Sequence, residues 1–437
     1  MDRVPRALEE RLTLDIAALD AEGRGVARND EGKVVFVEGA LPGETVLARR
    51  LAGKRSYDIA RTIAILRESS ARSVPRCPHF GTCGGCFTQH VDARTQVATK
   101  QRWLEDCLAR IGKVQAQMLL APIYGEEWGY RRRARMSARY VPGKGGALVG
   151  FRERRSTFVA DIRSCDVLPP GVSALIPALR SLVSELSVRE RLPQIEISAG
   201  DGATVLVFRH LQPLTERDLS LLRGFHEQTA LHVWVQPGGP DTAAPLYPGD
   251  PDPLSYDLPE FGVRIGFGPV DFTQVNHSMN RALVRRVMGL LDPQPQEAIA
   301  DLFCGVGNFS LPLARLGAQV IGFEAVQALV DRARRNARAN DLVAQFEVAD
   351  LFKSRLEAFG RFEKILIDPP REGAIGLVKA VRDDWPRRIV YVSCDPATLA
   401  RDAAVLVHTK GFSLAAAGVV NMFPHTAHVE SVALFER

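Results

Sequence analysis

A chain of 437 residues is longer than one ordinary domain, and 46% hydrophobic with 24% charged residues is the balance of a soluble globular protein with a sizeable core. No run of about 18 apolar residues occurs, which argues against a membrane-spanning helix, and MDRVPRALEERL lacks the apolar centre of a secretory signal. A cytoplasmic address is expected, where thiols stay reduced, so seven cysteines point to metal binding or catalysis rather than disulfides.

In chain order, residues 11–67 read as short strands broken by glycine turns: LTLDIAALD, GRGVARNDEGKVVFV and ETVLARRLAGKRSYDIARTIAIL. That pattern predicts a small OB-like β-barrel, a scaffold that often carries oligonucleotides on one face. Arg49, Arg50, Lys54 and Arg55 fit such a role, and ordinary surface charge explains them equally. A cysteine-rich loop follows at Cys77–Cys86, then a helix from about Arg94 to Ile111 that can pack on either neighbour, the catalytic domain included. Residues from about 122 to 235 mix strands (LVGFRER, QIEISAG, TVLVFRHL) with a helix near Val172–Leu186, which predicts a central α+β domain.

The net charge of +5 is unevenly spread: Tyr130–Arg155 holds nine Lys/Arg residues against the single acid Glu153. Such a cluster is an electrostatic footprint for a phosphate backbone, or else a solvated basic face. The Pro/Gly-rich stretch Gln236–Pro253 marks a loop or linker. Beyond it strands and helices alternate: AIADLF, NFSLPLARLG, QVIGFEA, ALVDRARRNARAND, KILIDPP, IVYVSC, PATLARDAAVLVH and a closing HVESVALFE strand. This rhythm predicts a Rossmann-like doubly wound parallel sheet. The expected division is 1–70 barrel, 71–255 central domain with the cysteine cluster and basic patch, and 256–437 catalytic domain.

Asp301–Phe309, DLFCGVGNF, follows a strand and opens a helix. Gly305 and Gly307 let the backbone turn tightly against a ligand, and Glu324 ends the next strand, where an acid binds ribose hydroxyls. Two glycines without a following Lys-Ser/Thr count against NAD and against a phosphate loop. S-adenosylmethionine carries no pyrophosphate, so it needs no such cradle. Asp368-Pro-Pro-Arg371 sits at the carboxyl end of a strand, and an arginine where amino-methylating enzymes usually have an aromatic points away from exocyclic amine chemistry.

Ser393-Cys-Asp-Pro396 ends the next strand. A helix N-terminus beside Cys394 is expected to lower its thiol pKa. Glu430 is a carboxylate in an otherwise apolar strand, costly there unless paired or working. One reaction uses both groups. Thiolate addition at uracil C6 makes C5 nucleophilic, and a base then removes the C5 proton. A base inside folded RNA must first leave its stack to reach them.

With these motifs, and with Asp271-Phe-Thr-Gln-Val-Asn276 and His428-Val-Glu-Ser431, the chain resembles the bacterial RNA uridine-C5 methyltransferases over nearly its whole length. The likeness is greatest to the branch that acts on uracil 1939 of 23S rRNA and carries an iron–sulfur cluster. The N-terminal barrel looks like a TRAM domain. The resemblance implies Cys394 as nucleophile and Glu430 as base, with Gln274, Phe303, Asn308, Glu324 and Asp368 lining the cofactor and target-base site and Asp350 near the adenine. Four thiols, in C-x5-C-x2-C at Cys77, Cys83 and Cys86 plus a distant Cys165, suit either zinc or a [4Fe–4S] cluster by spacing. The resemblance favours the cluster. Cys107 and Cys304 are expected to be ordinary helix or core residues.

A non-catalytic RNA-binding protein would keep the barrel and basic patch, but its nucleophile or base would be free to decay. Enzymes of the tRNA branch usually lack the barrel and cluster. Methylation of another 23S uridine shares the same chemistry. The expected partner is 23S rRNA, without a membrane, and the expected state is a monomer.

Overall fold

The structure is a computed structural model and describes residues 10–20, 22–247, 253–353 and 360–437. Internal contacts divide the chain into two compact units, residues 1–103 with 424–427, and residues 104–423 with 428–437.

The first unit begins with a six-stranded sheet in the order Arg11–Asp15, Thr45–Gly53, Tyr57–Arg67, Val34–Glu38, Gly25–Arg28, Ala18–Leu19. Its two edge strands, Arg11–Asp15 and Ala18–Leu19, are parts of one continuous run of chain, so the sheet must curl round on itself. Closure removes the exposed edges that such a sheet would otherwise present. Alternate residues point inward, with Val35, Val37, Val46 and Ala48 fully buried. Buried Glu44 accepts from Leu41 N at 2.8 Å and from Arg72 Nε at 2.6 Å, which ties the barrel to the segment leading to the cysteine loop. In that loop Gly85 N–H lies 3.4 Å from Cys83 Sγ, a close approach that the glycine pair permits. His425 belongs to this unit: its carbonyl accepts from Phe87 N at 2.7 Å and Thr88 N at 3.1 Å.

The second unit holds two large sheets. One runs Ala244–Pro245, His232–Gln236, Thr204–Arg209, Gln194–Ala199, Arg133–Val141, Gly146–Gly150. Its first strand comes from the Pro/Gly-rich stretch, of which residues 248–252 lie outside the described residues. The helix expected at Val172–Leu186 is two, Pro170–Ser173 and Ile176–Glu185.

The other sheet has eight strands: Gln345–Val348, Gln319–Glu324, Ala298–Leu302, Lys364–Ile367, Arg388–Ser393, Glu430–Glu436, Ser413–Val420, Met118–Leu119. The first five are mutually parallel. The sheet is not parallel throughout, because Glu430–Glu436 inserts antiparallel between Arg388–Ser393 and Ser413–Val420. The Ser413–Val420 strand, SLAAAGVV, is not legible in the sequence, because a run of alanines carries little β signal.

Strand alternation splits the core in two. Leu366, Val390, Val392 and Val432 pack on one face, together with Val205 and Val207 of the six-stranded sheet. Ile365, Ile367, Ile389, Tyr391 and Phe435 pack on the other, with Leu104, Cys107 and Leu108 from the end of the Ala93–Cys107 helix and the wide turn after it. That helix therefore ends in the core of the eight-stranded sheet. No helix among the described residues is long and apolar enough to cross a membrane.

Candidate active site

The carboxyl ends of the parallel strands gather the chemistry, as open α/β sheets require. Ala298–Leu302 leads into the glycine loop, where Phe303 has φ 68°, Gly305 φ 54° and Gly307 φ 95°. A phenylalanine in the left-handed region is strained, and such residues cluster at working sites. The bend is held by Phe303 N and Cys304 N, both donating to Phe323 O at 2.9 and 3.0 Å. The ring of Phe303 lies 5.6 Å from that of exposed Phe352. Glu324 ends the neighbouring strand and accepts from Gly305 N at 3.3 Å, so its carboxylate borders the loop.

Asn308 closes the loop and is itself held. Tyr256 OH donates to its Oδ1 at 2.8 Å, and its amide exchanges hydrogen bonds of 2.8 and 3.0 Å with Asn280. Gln274 is half-buried, just before Asn276, whose Oδ1 caps the His277–Leu291 helix. Asp350 lies farther out, ion-paired with Lys353 at 2.9 Å, and this hydrogen bond holds its carboxyl below the usual range.

Acids dominate the centre. Asp301 is buried and accepts from Ser310 Oγ at 2.5 Å, yet burial first, then the charges of Asp368 and Glu324, push its pKa up to about 7. Burial likewise pushes Asp368 up to about 7. Glu430 is buried, and burial, then Asp368, raise its carboxyl well above the ordinary range. Each acid would be relieved by a cation entering the cleft.

Cys394 follows the last residue of its strand. The antiparallel register pairs Ser393 with Ser431, which makes Cys394 and Glu430 the next residues along the two strands, and the Glu430 charge acts on the thiol. Asp395 caps the Pro396–His408 helix through Ala397 N at 2.8 Å and Thr398 N at 3.1 Å. The net shift of the thiol is upward, not downward as expected. Burial, followed by the charges of Glu430 and Asp368, pushes it up to about 11, against a smaller opposing effect of Arg371. Arg371 itself is exposed, 3.4 Å from His428 Nδ1.

Cys77, Cys83 and Cys86 are half-buried in the first unit, and Cys165 is buried in the second. Their thiol chemistry suits a soft metal, but among the described residues no three Cys, His, Asp or Glu side chains converge as metal ligands. Cys107 and Cys304 are buried in the two cores, as expected. Asp301 went unassigned in the sequence; as a carboxylate inside AIADLF it carries the same signal as Glu430. Tyr256 and Asn280 gave none, since their role exists only through contact with Asn308.

A family model described as tRNA (Uracil-5-)-methyltransferase matches residues 267–437, and one described as TRAM domain matches residues 6–49. The 23S rRNA (uracil(1939)-C(5))-methyltransferase of Nitrosospira multiformis is 57% identical over 97% of this chain and 98% of its own length. That of Aromatoleum aromaticum is 58% identical over 97% and 99%. The chain belongs to the 23S rRNA (uracil(1939)-C(5))-methyltransferase family. The crystal structure of Pyrococcus abyssi tRNA (uracil-54, C5)-methyltransferase with S-adenosyl-L-homocysteine is similar in fold, with TM-score 0.76, 24% identity and coverage of 97% of this chain and 99% of that one. A tRNA enzyme thus matches along the barrel region as well.

Proposed function

We propose that this protein methylates C5 of a uridine in 23S rRNA, of the uracil-1939 type, with Cys394 as nucleophile and Glu430 as base. What supports the reading is the strand register that ends at Ser393 and Ser431, one residue short of Cys394 and buried Glu430, together with the effect of the Glu430 charge on the thiol. S-adenosylmethionine, when bound, supplies a methyl group on a cationic sulfonium. In this reading Glu324 holds the ribose hydroxyls, Phe303, Asn308 and Gln274 line the site with Asp368, and Asp350 faces the adenine.

With its pKa near 11, Cys394 is a thiol in the free protein at neutral pH, so its proton must pass to solvent as sulfur bonds to C6. The C5–C6 π electrons move toward C5 and O4, and C5 takes the methyl group. C5 then carries both a proton and a methyl. Glu430 removes that proton, the C5–C6 double bond re-forms, and the C6–S bond breaks to free Cys394. In its ionised form, a carboxyl whose affinity for protons is raised is suited to accept one from carbon.

The barrel and the Tyr130–Arg155 basic stretch are assigned to RNA binding, in a cytoplasmic monomer. A [4Fe–4S] cluster on Cys77, Cys83, Cys86 and Cys165 belongs to the proposal on family resemblance, since the thiol spacing suits zinc equally. No chemical step is assigned to it. Iron and acid-labile sulfide in the purified protein would support the cluster, and stoichiometric zinc would replace it.

Tritium release from C5-labelled uridine in 23S rRNA tests the reaction. Release by wild type and none by Cys394→Ala establishes chemistry and nucleophile together. Release from tRNA alone overturns the substrate, and silence on both leaves an RNA-binding protein.

A further inference from the structure

The loop Asp368–Ala374 and the strand–helix pair around Cys394 are separate stretches of chain, and a single buried carboxylate joins them. Asp402, on the Pro396–His408 helix, has no exposed surface. Its Oδ2 accepts from Tyr391 OH at 2.7 Å and from Ala374 N at 2.7 Å. Tyr391 lies on the strand that ends beside Cys394, and Ala374 terminates the Asp-Pro-Pro loop. The Oδ1 pairs with Arg401, at 2.9 Å to Nε and 2.8 Å to Nη2. Arg401 Nη2 then reaches Glu372 O in the same loop at 2.8 Å. Gly373 completes the join: φ is 75°, and a Cβ there would lie 2.8 Å from Asp402 Oδ2 and 2.6 Å from Arg401 Nη2.

We propose that Asp402 is a positioning residue that fixes the distance between Asp368 and Cys394, and with it the catalytic geometry. It touches neither substrate nor cofactor in the proposed reaction, on which this inference rests. A neutral apolar side chain would leave the Tyr391 hydroxyl and the Ala374 N–H without their acceptor in the core and would cost the half-exposed Arg401 its ion pair, so the carboxylate is matched to three partners at once. If the join only stabilised the fold, its loss would lower the melting temperature and leave the reacting groups unchanged. If it positions them, two further quantities change. Misplacement costs turnover rather than RNA affinity, and withdrawing Asp368 from Cys394 relieves the thiol of a like charge.

The test is Asp402→Asn, with kcat, KM for 23S rRNA, thermal melting and the pH midpoint of Cys394 alkylation by iodoacetamide read by mass spectrometry. The expected result is a kcat loss on the order of ten- to a hundredfold, KM within about twofold, and an alkylation midpoint moved toward lower pH. A lowered melting temperature with kcat and midpoint at wild-type values overturns the proposal. Should Asp402→Asn not fold, Tyr391→Phe removes one of the three partners alone. It is expected to shift kcat and midpoint in the same directions, less far, and an unchanged pair overturns the proposal. Inactivity of wild type on any RNA refutes the reaction instead. The alkylation midpoint, which needs neither RNA nor methyl donor, still decides the role of Asp402.

Discussion

Asp395 Oδ1 accepts the amide proton of Ala397 at 2.8 Å, fixing the first turn of a helix immediately after Cys394. Asp395→Ala removes that cap. The expected stability loss is about 1 kcal/mol, an ordinary cap value. Turnover should fall further than stability explains, because the residue before the cap is the proposed nucleophile. Denaturant melts beside tritium-release rates check this, and equal, small effects on both would confine Asp395 to capping.

Tyr256→Phe deletes one of two donors to Asn308 Oδ1 and leaves the Asn280 exchange in place. Such a loss is worth roughly 1 kcal/mol, or about a fivefold change in an equilibrium. If Asn308 binds the cofactor, that change appears in the affinity for S-adenosylhomocysteine measured by calorimetry. Unaltered affinity with a lowered melting temperature would assign Asn308 to structure alone.

Legibility in the sequence followed the range of the interaction. Strand–loop–helix rhythm and the motifs around Asp301, Asp368 and Cys394 are local, and they located the catalytic sheet and its carboxyl edge. Glu430 stood out because a carboxylate in an apolar strand is an anomaly at any range. The upward shift of the Cys394 thiol is not legible locally, because the sequence displays the helix start beside it but not its burial, nor the distant acids Glu430 and Asp368. The left-handed Phe303 was hidden for a related reason: glycines announce positive φ, whereas a phenylalanine is forced into it by its neighbours' hydrogen bonds. The antiparallel insertion of the last strand is likewise a matter of long-range pairing that no local pattern encodes.

The high thiol pKa gives a direct pH prediction. Iodoacetamide should modify Cys394 slowly at pH 7, with a rate that climbs toward a midpoint near 11. Glu430→Gln deletes a like charge, so the midpoint should move down. Peptide mass spectrometry from pH 7 to about 12 reads both curves. A wild-type midpoint at or below the ordinary range of about 8–9 would mean that the helix start prevails over burial and the acids.

Glu430→Gln also separates the steps of the proposed reaction. Addition of Cys394 and methyl transfer do not call on the base, but release of the C5 proton does. The variant should therefore collect a covalent protein–RNA adduct, retained on a denaturing gel and carrying label from the methyl donor. Tritium release should fall by roughly 10²–10⁴, the usual contribution of a positioned base. Normal release without adduct would give the role of base to another group.

Asp368→Asn is expected to exchange activity for stability, and the exchange depends on pH. The folded carboxyl titrates near 7, whereas in the unfolded chain it titrates near an ordinary value of about 4. Between those values the unfolded state is ionised and the folded state holds its proton, so wild type loses stability as pH rises. The penalty is absent below pH of about 4 and complete above about 7. Asparagine carries no such penalty. The variant's melting temperature, relative to wild type, should rise from pH 5 to pH 8, and its tritium release should fall sharply at both. A constant offset across that range would mean that Asp368 is ionised in the fold throughout, its charge satisfied within the cleft.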